Sequence, residues 1–393
     1  MSSPLIARSA DLQHLWSDGY RIEIRDNLLL IRDVPYVTES RSVARGTLVS
    51  ELTTAGDSTV APSTHVIDFV GNRPCDAFGN PLLRLIINDQ RRPISATMVA
   101  DFQFSQKPTP EGKYANYYDK VVAYVHMLQG HARSLDPAVS ARVGAVVVPD
   151  DDSVFNYLDT ATGRAGIGHV ASKLSLPAIA IVGLGGTGSY VLDLIAKTPV
   201  RAIHLFDGDE FLSHNAFRAP GAATLEHLRG RPNKSEYWRD RYGAMRKYIT
   251  AHPYELDTGN VEELRDMSFV FLCIDAGPAK RALVEFLEAS AIDFIDTGMG
   301  VTLVDGALRG TLRVTTSSSR RRDHFRRRVS MTGTATEDEY SANIQIADLN
   351  ALNAALAVLK WKKLAGFYQD DIGEHHSTFT IGAAAHIREE LPG

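Results

Sequence analysis

The stretch that decides the fold is PAIAIVGLGGTGSYVLDLIAK, residues 177–197. It begins with a short apolar run, which is typical of a strand buried in a parallel sheet. Gly183, Gly185, Gly186 and Gly188 follow, and a helical pattern begins at once. This order of strand, glycine-rich turn and helix predicts an α/β unit in which a helix N-terminus meets a phosphate. The turn alone is weak support, because tight turns of this kind occur in many α/β proteins.

Further apolar runs after the glycine turn read as strands, and helical segments separate them. They lie at 202–206, 269–274 and 292–295. Strands that alternate with helices predict a doubly wound α/β sheet, and we assign it to a domain at 161–393. Apolar residues at spacings of three, four and three also predict a helix over 348–364. The residues on that predicted face are Leu349, Leu352, Leu356 and Leu359.

The first 160 residues differ in character and predict a smaller, β-rich α+β domain that serves a partner or accessory role. Alternating apolar residues indicate several strands, at 20–24, 28–34, 65–70 and 82–87. We expect a polar loop over 50–62 and a helix over 120–135. The predicted domain boundary therefore lies between residues 160 and 161.

Length, charge and cysteine count restrict the classes of function. At 393 residues the chain is too long for one ordinary core. A net charge of −5 gives no reason to expect nucleic acid or membrane as a partner. The sequence shows neither a signal-peptide pattern nor a membrane-spanning run, so a cytoplasmic protein is expected. Two cysteines, Cys75 and Cys273, are too few for a disulfide framework or a four-cysteine zinc site, and no zinc is expected.

Polar residues follow the glycine turn in an ordered series. They are Asp207, Asp209, Asn215, Arg218, Lys234 and Asp275. Asp207 ends the next strand, where an acidic side chain binds ribose hydroxyls, and this much fits NAD equally well. An amide and two cations just beyond it favour ATP instead, because attack on an α-phosphate builds charge on its oxygens. Taken singly, each charged residue could be a solvated surface residue.

Asp275 closes the series at the end of an apolar strand. Its position predicts that the carboxylate lies at the carboxyl edge of the sheet, where ligands of such folds bind. A carboxylate there suits Mg²⁺, which prefers one or two carboxylates together with phosphates and water. We therefore predict a site for ATP and Mg²⁺.

The glycine turn, the Asp207-x-Asp209 and Asn215-x-x-Arg218 patterns, Lys234 and Asp275 resemble the ThiF/MoeB/HesA superfamily. Its members include the adenylation domain of ubiquitin-activating enzymes, and the similarity covers roughly residues 165–370. The resemblance implies a Rossmann-like fold, Asp207 on the ribose, and Asn215, Arg218 and Lys234 at the phosphates, with Asp275 on Mg²⁺. It implies a β-grasp ubiquitin-like substrate, a conjugating-enzyme-like partner and a homodimer. A β-rich domain ahead of such a domain resembles activating enzymes of bacterial ubiquitin-like operons.

The sequence departs from many of these relatives because no cysteine follows Cys273, which excludes a thioester cysteine in the later loop. Cys273 is expected in the core, and Cys75 is a less favoured nucleophile. The corresponding segment, 315–328, is expected to be a loop, and it is rich in hydroxyls and arginines. We predict that Ser317, Ser318 or Ser319 accepts the acyl group as an oxyester, with His324 as base. The other candidate roles for this loop are a solvated surface and docking of an acidic partner.

The sequence thus favours activation of a ubiquitin-like protein by adenylation of its C-terminal carboxylate. Other functions remain open at this stage. They are a small-molecule or tRNA-modifying adenylating enzyme, an NAD-dependent oxidoreductase, and a non-catalytic scaffold subunit. Intact Arg218, Lys234 and Asp275 argue against the scaffold. His375 and His376 are expected on the surface.

Overall fold

A computed structural model describes residues 4–108, 112–144, 153–165, 167–331 and 344–388. The chain divides into two compact units, Met1–Ser172 and Lys173–Gly393. Within the described residues, no helix combines the length and the apolar character needed to cross a membrane.

In the first unit, the described strands follow one another without helices between them, and the helices lie before and after the strands. In chain order they are α1 (Pro4–Arg8), α2 (Ala10–Ser17), β1 (Arg21–Arg25), β2 (Leu28–Val37), β3 (Val43–Glu51), β4 (Thr54–Ala55), β5 (Ser58–Thr59), β6 (Val66–Val70), β7 (Ile86–Asn88), β8 (Arg92–Pro93), β9 (Val99–Ala100), β10 (Phe102–Ser105), α3 (Tyr117–Leu135), α4 (Thr160–Ala165) and α5 (Gly168–Ala171).

The core of this unit lies between an antiparallel sheet, in the order β1-β2-β3-β6-β10-β7, and α3. Asp26 and Asn27 both have positive φ, as a two-residue turn between twisted strands requires, so β1 and β2 form a tight hairpin. Asn116 caps α3 by accepting the Asp119 N–H at 2.8 Å. Lys120 of α3 is fully buried and forms an ion pair with Glu51 at 3.0 Å. The β-rich character expected from the sequence is confirmed.

Two local predictions for this unit were wrong. Residues 82–85 form turns instead of a strand, and only the short edge strand β7 follows them. The predicted polar loop over 50–62 begins inside β3 and contains the small β4–β5 hairpin. Polar composition misled here, because the Ser50 side chain is buried and accepts a hydrogen bond from Lys120 at 2.8 Å.

Strands alternate with helices through the first part of the second unit. Its described elements are β11 (Ala178–Val182), α6 (Gly186–Ile195), β12 (Ala202–Phe206), α7 (Ser213–Ala216), α8 (Leu225–Gly230), α9 (Lys234–Gly243), β13 (Ile249–His252), β14 (Phe269–Leu272), α10 (Pro278–Ala289), β15 (Phe294–Val304), β16 (Ala307–Ser317), α11 (Phe325–Arg328), α12 (Ala347–Leu364), β17 (His376–Thr380) and β18 (Ala385–Arg388), with 3₁₀ turns at Ser172–Leu174 and Val261–Leu264.

These strands form one sheet in the order β13-β12-β11-β14-β15-β16-β17-β18. The first five strands run parallel, and the last three pairings, from β15–β16 to β17–β18, are antiparallel. Ile179 and Ile181 pack on the side of α6, α9 and α12, whereas Ala180 and Val182 pack on the side of α10. Both faces are therefore covered, which explains why the strand reads as an unbroken apolar run. The doubly wound, Rossmann-like prediction is confirmed.

The predicted helix over 348–364 is confirmed as α12. Its buried face combines Leu349 with Asn353, Ala357 and Trp361, while Leu359 is 43% exposed. Two other predictions for the second unit need correction. The predicted loop at 315–319 begins as the end of β16. His375 and His376 are buried instead of lying on the surface, because β17 pairs with β16 in the interior of the sheet.

Candidate functional site

The polar residues of the ordered series meet along the carboxyl edge of the parallel strands. Neighbouring strands β12, β11, β14 and β15 end there in that order. Asp207 follows β12, the glycine turn follows β11, Asp275 follows β14, and Gly298 lies in β15. All four positions line one cavity of about 550 Å³. The cavity therefore runs across the strands, from the Asp207 end to the Gly298 end.

The glycine turn lets the backbone pass close to its neighbours. Gly183 has a φ of +87°, and a Cβ on it would lie 2.6 Å from the Cys273 carbonyl oxygen. A Cβ on Gly188 would lie 1.8 Å from the Gly183 carbonyl oxygen, well inside van der Waals contact. The turn and the first turn of α6 consequently tolerate no side chain at these two positions.

The turn presents the N-terminus of α6 to the cavity. This helix has ten residues and begins at Gly186, so its first N–H groups lack partners within the helix. Gly185, Gly186 and Thr187 line the cavity. Unpaired N–H groups together with the positive end of the helix dipole form an anion site, as predicted from the sequence.

Asn350 of α12 holds this turn from the other side and was not singled out from the sequence. Its Oδ1 accepts the Thr187 hydroxyl at 3.1 Å, and its Nδ2 donates to the Arg218 carbonyl at 3.2 Å. A Cβ on Gly186 would lie 2.0 Å from Asn350 Nδ2, so the absence of a side chain at Gly186 admits the amide. The available signal in the sequence was the pair of asparagines, Asn350 and Asn353, in a predicted helix rich in leucine and alanine.

Asp207 fixes the turn as well as lining the cavity. Its Oδ2 accepts the Leu184 N–H at 2.6 Å, and its Oδ1 accepts the Asp209 N–H at 3.0 Å. Lys234 Nζ lies 3.5 Å from Asp207 and 2.6 Å from Asp209. Burial raises the pKa of Asp207, and the charge of Lys234 opposes that rise.

Lys234 reaches this position because it is the first residue of α9. Asn233 caps the helix by accepting the Ser235 N–H at 2.8 Å. The Asn233 amide also donates to the Asp207 carbonyl at 2.9 Å, so it ties the start of α9 to the ribose end of the cavity. The Lys234 side chain is only 7% exposed, and its ammonium stays within reach of both aspartates.

Arg218 brings a second cation into the same cavity. Its Nε is buried and has no hydrogen-bond partner among the described residues. Burial lowers the pKa of Arg218, while Asp275, Asp207 and Asp209 act in the opposite direction. Asn215 is also buried, and its Oδ1 accepts the Leu212 N–H at 2.9 Å, but Asn215 Nδ2 has no partner within the described part of the chain. Buried donors without partners indicate a ligand that accepts hydrogen bonds.

Asp275 lies in the cavity wall between the glycine turn and β15. Over the described residues, no group of three or more His, Cys, Asp or Glu side chains could hold a metal by itself. A single carboxylate still fits Mg²⁺, which completes its coordination with phosphate oxygens and water. ATP fits the same cavity, because Arg218 and Asn215 have buried donors without partners among the described residues. The glycine turn adds an anion site that carries no side chains.

The β15 end of the cavity contains charged residues that sequence reasoning missed. Lys280 lies five positions after Asp275, lines the cavity, and places its Nζ 2.6 Å from Asp296 Oδ1. Arg313 Nη2 donates to the other Asp296 oxygen at 2.7 Å. Asp296 is fully buried, and Lys280 is 3% exposed. No sequence motif indicates this group, because its members come from three separate elements, α10, β15 and β16.

The predicted acyl acceptors lie elsewhere. Ser317 and Ser318 are buried, and Ser317 pairs with Phe294 at the start of β15, whereas the cavity is at the carboxyl end. About 13 Å of strand separates Ser317 from the level of Gly298. Ser318 Oγ lies 3.2 Å from His375 Nε2, and the Ser319 N–H donates to Asp293 at 2.7 Å. This placement weighs against Ser317 and Ser318 as acceptors, because both are buried, whereas Ser319 is exposed in the turn after β16.

His324, the predicted base, is likewise buried, and burial lowers its pKa. Arg322 and Arg326, which were candidates for docking an acidic partner, pair within the chain with Asp293 at 3.0 Å and with Glu288 at 3.2 Å. Cys75 is buried, whereas Cys273, which was expected in the core, is partly buried and lines the cavity. Burial raises the pKa of the Cys273 thiol to about 12 and also raises that of Cys75.

Comparison with known proteins places two families along the chain. The sequence model of the ThiF family matches residues 161–369. Residues 10–160 match a family described as a domain of unknown function, DUF6791. No curated protein matches the sequence.

Several solved structures resemble parts of the chain. Crystalline selenomethionine PaaA is 17% identical over 56% of this chain and 75% of its own, with a TM-score of 0.44. E. coli MccB with ATP is 14% identical over 58% of this chain and 69% of its own, also with a TM-score of 0.44. E. coli MccB with MccA-N7isoASN is 13% identical over 62% and 74%, with a TM-score of 0.45.

Proposed function

Since the chain belongs to the ThiF family and is an ATP-dependent adenylating enzyme, we propose that it activates the C-terminal carboxylate of a ubiquitin-like protein. The observation that carries this proposal is the pairing of Arg218 and Lys234 with the glycine turn in one cavity. A dinucleotide enzyme has no need for a buried lysine and a partly buried arginine beyond the ribose position. An α-phosphate under attack does need them, because negative charge grows on its oxygens.

The arrangement supports a specific course for the reaction. Asp207 holds the turn and meets the ribose, while the N-terminus of α6 receives a phosphate. A carboxylate oxygen of the substrate attacks the α-phosphorus, the bond to the bridging oxygen breaks, and pyrophosphate leaves. Arg218, Asn215 and Lys234 donate to the phosphate oxygens as this charge develops. Asp275 would hold Mg²⁺, which when bound offsets charge on the phosphates.

The acyl-adenylate then passes to a conjugating-enzyme-like partner, and two chains form the working dimer. Direct transfer is the simpler route, because Ser317, Ser318 and Cys75 are buried and burial raises the pKa of the Cys273 thiol to about 12. Ser319 is exposed, in the turn after β16. The first unit supplies an accessory surface in this proposal. Sedimentation of an active chain as a monomer at micromolar concentration would contradict the dimer.

The test is isotope exchange between pyrophosphate and ATP. The purified chain is combined with Mg²⁺ and with a β-grasp protein that ends in a free glycine carboxylate. We expect exchange that requires the free carboxylate of the carrier, and titration calorimetry should show ATP binding but no comparable binding of NADH. Tight NADH binding without exchange would refute the proposal.

A further inference from the structure

We propose that Lys280 receives the attacking carboxylate of the acyl substrate and that Asn353 receives an amide N–H of the same peptide tail. This inference rests on the proposed function and assigns substrate contacts within it. It concerns the end of the cavity at β15, which the nucleotide motifs do not explain. Thr297, Gly298, Lys280 and Asn353 line that end.

The first argument is the charge of the buried group around Asp296. One carboxylate there faces two cations, Lys280 at 2.6 Å and Arg313 at 2.7 Å. The group therefore carries one excess positive charge, with Asp296 fully buried and Lys280 almost so. An uncompensated buried charge is costly, and an anion in the adjacent cavity offsets it. Lys280 faces this cavity, whereas Arg313 also donates to Thr315 at 3.0 Å on the neighbouring strand.

The second argument is the order of groups along the sheet edge. Asp207 marks the ribose end at β12, and the anion site at the N-terminus of α6 follows at β11. Asp275 comes next at β14, and Lys280 contacts β15 beyond it. With neighbouring strands about 4.8 Å apart, Lys280 lies beyond the phosphate donors, on the side opposite the ribose. A substrate that approaches from this side brings its anionic end to the phosphate.

The third argument separates a peptide from the terminal phosphates of ATP. Asn353 is 1% exposed, and its Nδ2 donates to the Gly298 carbonyl at 3.1 Å, which fixes the orientation of the amide. Its Oδ1 is then a buried acceptor without a partner among the described residues. An ionised phosphate has no proton to donate to that oxygen, whereas a peptide backbone has its N–H. The pair of Lys280 and Asn353 thus matches a carboxylate followed by a backbone amide.

Binding of a short synthetic peptide that ends in Gly-Gly tests the assignment. The peptide is used with a free carboxylate and as its C-terminal amide, both in the presence of α,β-methylene-ATP, which blocks turnover. The full-length chain should bind the acid at least about tenfold more tightly than the amide, the scale of a charge-assisted hydrogen bond. Lys280→Gln should bring that ratio to about one, and Lys280→Arg should restore part of it.

Two further variants complete the test, one as a matched control and one for the Asn353 contact. Arg281→Gln removes the neighbouring, exposed cation on α10 and should leave the ratio unchanged. Asn353→Leu should weaken acid and amide alike, since it removes the acceptor for the backbone N–H. Thermal unfolding of each variant checks that the fold is retained, and Asn353→Leu serves if Lys280→Gln does not fold.

The outcomes separate this inference from the proposed function. If the unmodified chain does not bind α,β-methylene-ATP, the proposed function fails. If the nucleotide binds but acid and amide bind equally, the inference alone is wrong. The inference is also wrong if Lys280→Gln keeps the full preference for the acid. If that variant keeps the preference and in addition binds the nucleotide more weakly, Lys280 contacts a phosphate instead.

Discussion

Replacing Gly188 by alanine gives the most direct test of the cavity geometry. The new methyl carbon would lie 1.8 Å from the Gly183 carbonyl oxygen and 3.2 Å from the Cys273 Cβ. The first contact is with backbone, so a side-chain rotation cannot relieve it. Overpacking of this kind costs about 1–3 kcal/mol, and alanine returns up to about 1 kcal/mol through its higher helix propensity. We therefore expect a net loss of about 1–2 kcal/mol in the free energy of unfolding.

Differential scanning calorimetry measures this effect, and calorimetric titration measures ATP binding. A loss of that size lowers the Tm of a unit of roughly 200 residues by about 2–8 °C. Binding should weaken more severely than stability, because relief of the clash must move the turn that receives the phosphate. Gly243→Ala is the matched control, since it adds the same methyl group at a helical glycine with open space around it. A Gly188→Ala protein with unchanged Tm and ATP affinity would refute the reasoning.

Three other perturbations follow from the site and its surroundings. Asp275→Asn should change the Tm by about a degree at most, while pyrophosphate exchange falls about a hundredfold because the charge that holds the metal is lost. Normal exchange in this variant would show that Asp275 does not hold the metal. Burial lowers the pKa of both His204 and His252 below 6.5, so the unfolded chain takes up protons first and stability should fall from about pH 7 to pH 5. In His204→Phe, the free energy of unfolding from urea titrations at each pH should fall less between pH 7 and pH 5. An unchanged dependence of that free energy on pH would contradict this prediction. Ser318→Ala should lower the free energy of unfolding by about 1 kcal/mol through loss of its contact with His375, yet spare exchange; a carrier ester that disappears in this variant would instead restore the oxyester hypothesis.

Sequence patterns predicted that the glycine turn, Asp207 and Asp275 meet at one edge of the sheet, because each pattern is local. The turn from Gly183 to Gly188 follows a strand and opens a helix within a dozen residues, so its geometry depends on residues that are adjacent in sequence. Asp207 and Asp275 each end an apolar run, and parallel strands bring such ends to one edge. Strand order then decides which of these residues are neighbours.

The β15 end was missed because it depends on contacts between distant segments. Lys280, Asp296 and Arg313 are separated in sequence, and each alone looks like an ordinary surface charge. The buried serines show the opposite error. A run of hydroxyls at 315–319 suggested a solvated loop, but the addition of β17 beside β16 buries residues 315–318. Pairing between strands 61 residues apart, as between Thr315 and His376, overrides local composition.

The contact between Asn350 and the glycine turn has a consequence for biosynthesis. The turn and the Arg218 carbonyl are made early, yet the amide that joins them belongs to α12. During translation, β11 and α6 emerge well over a hundred residues before that helix, and a chain folds from its N-terminus as it appears. A ribosome-bound intermediate that ends before α12 should therefore carry the whole glycine motif and still lack a finished nucleotide site. Competence to bind ATP would arise late and abruptly, once the helix that includes Asn350 has left the ribosome and packed against α6.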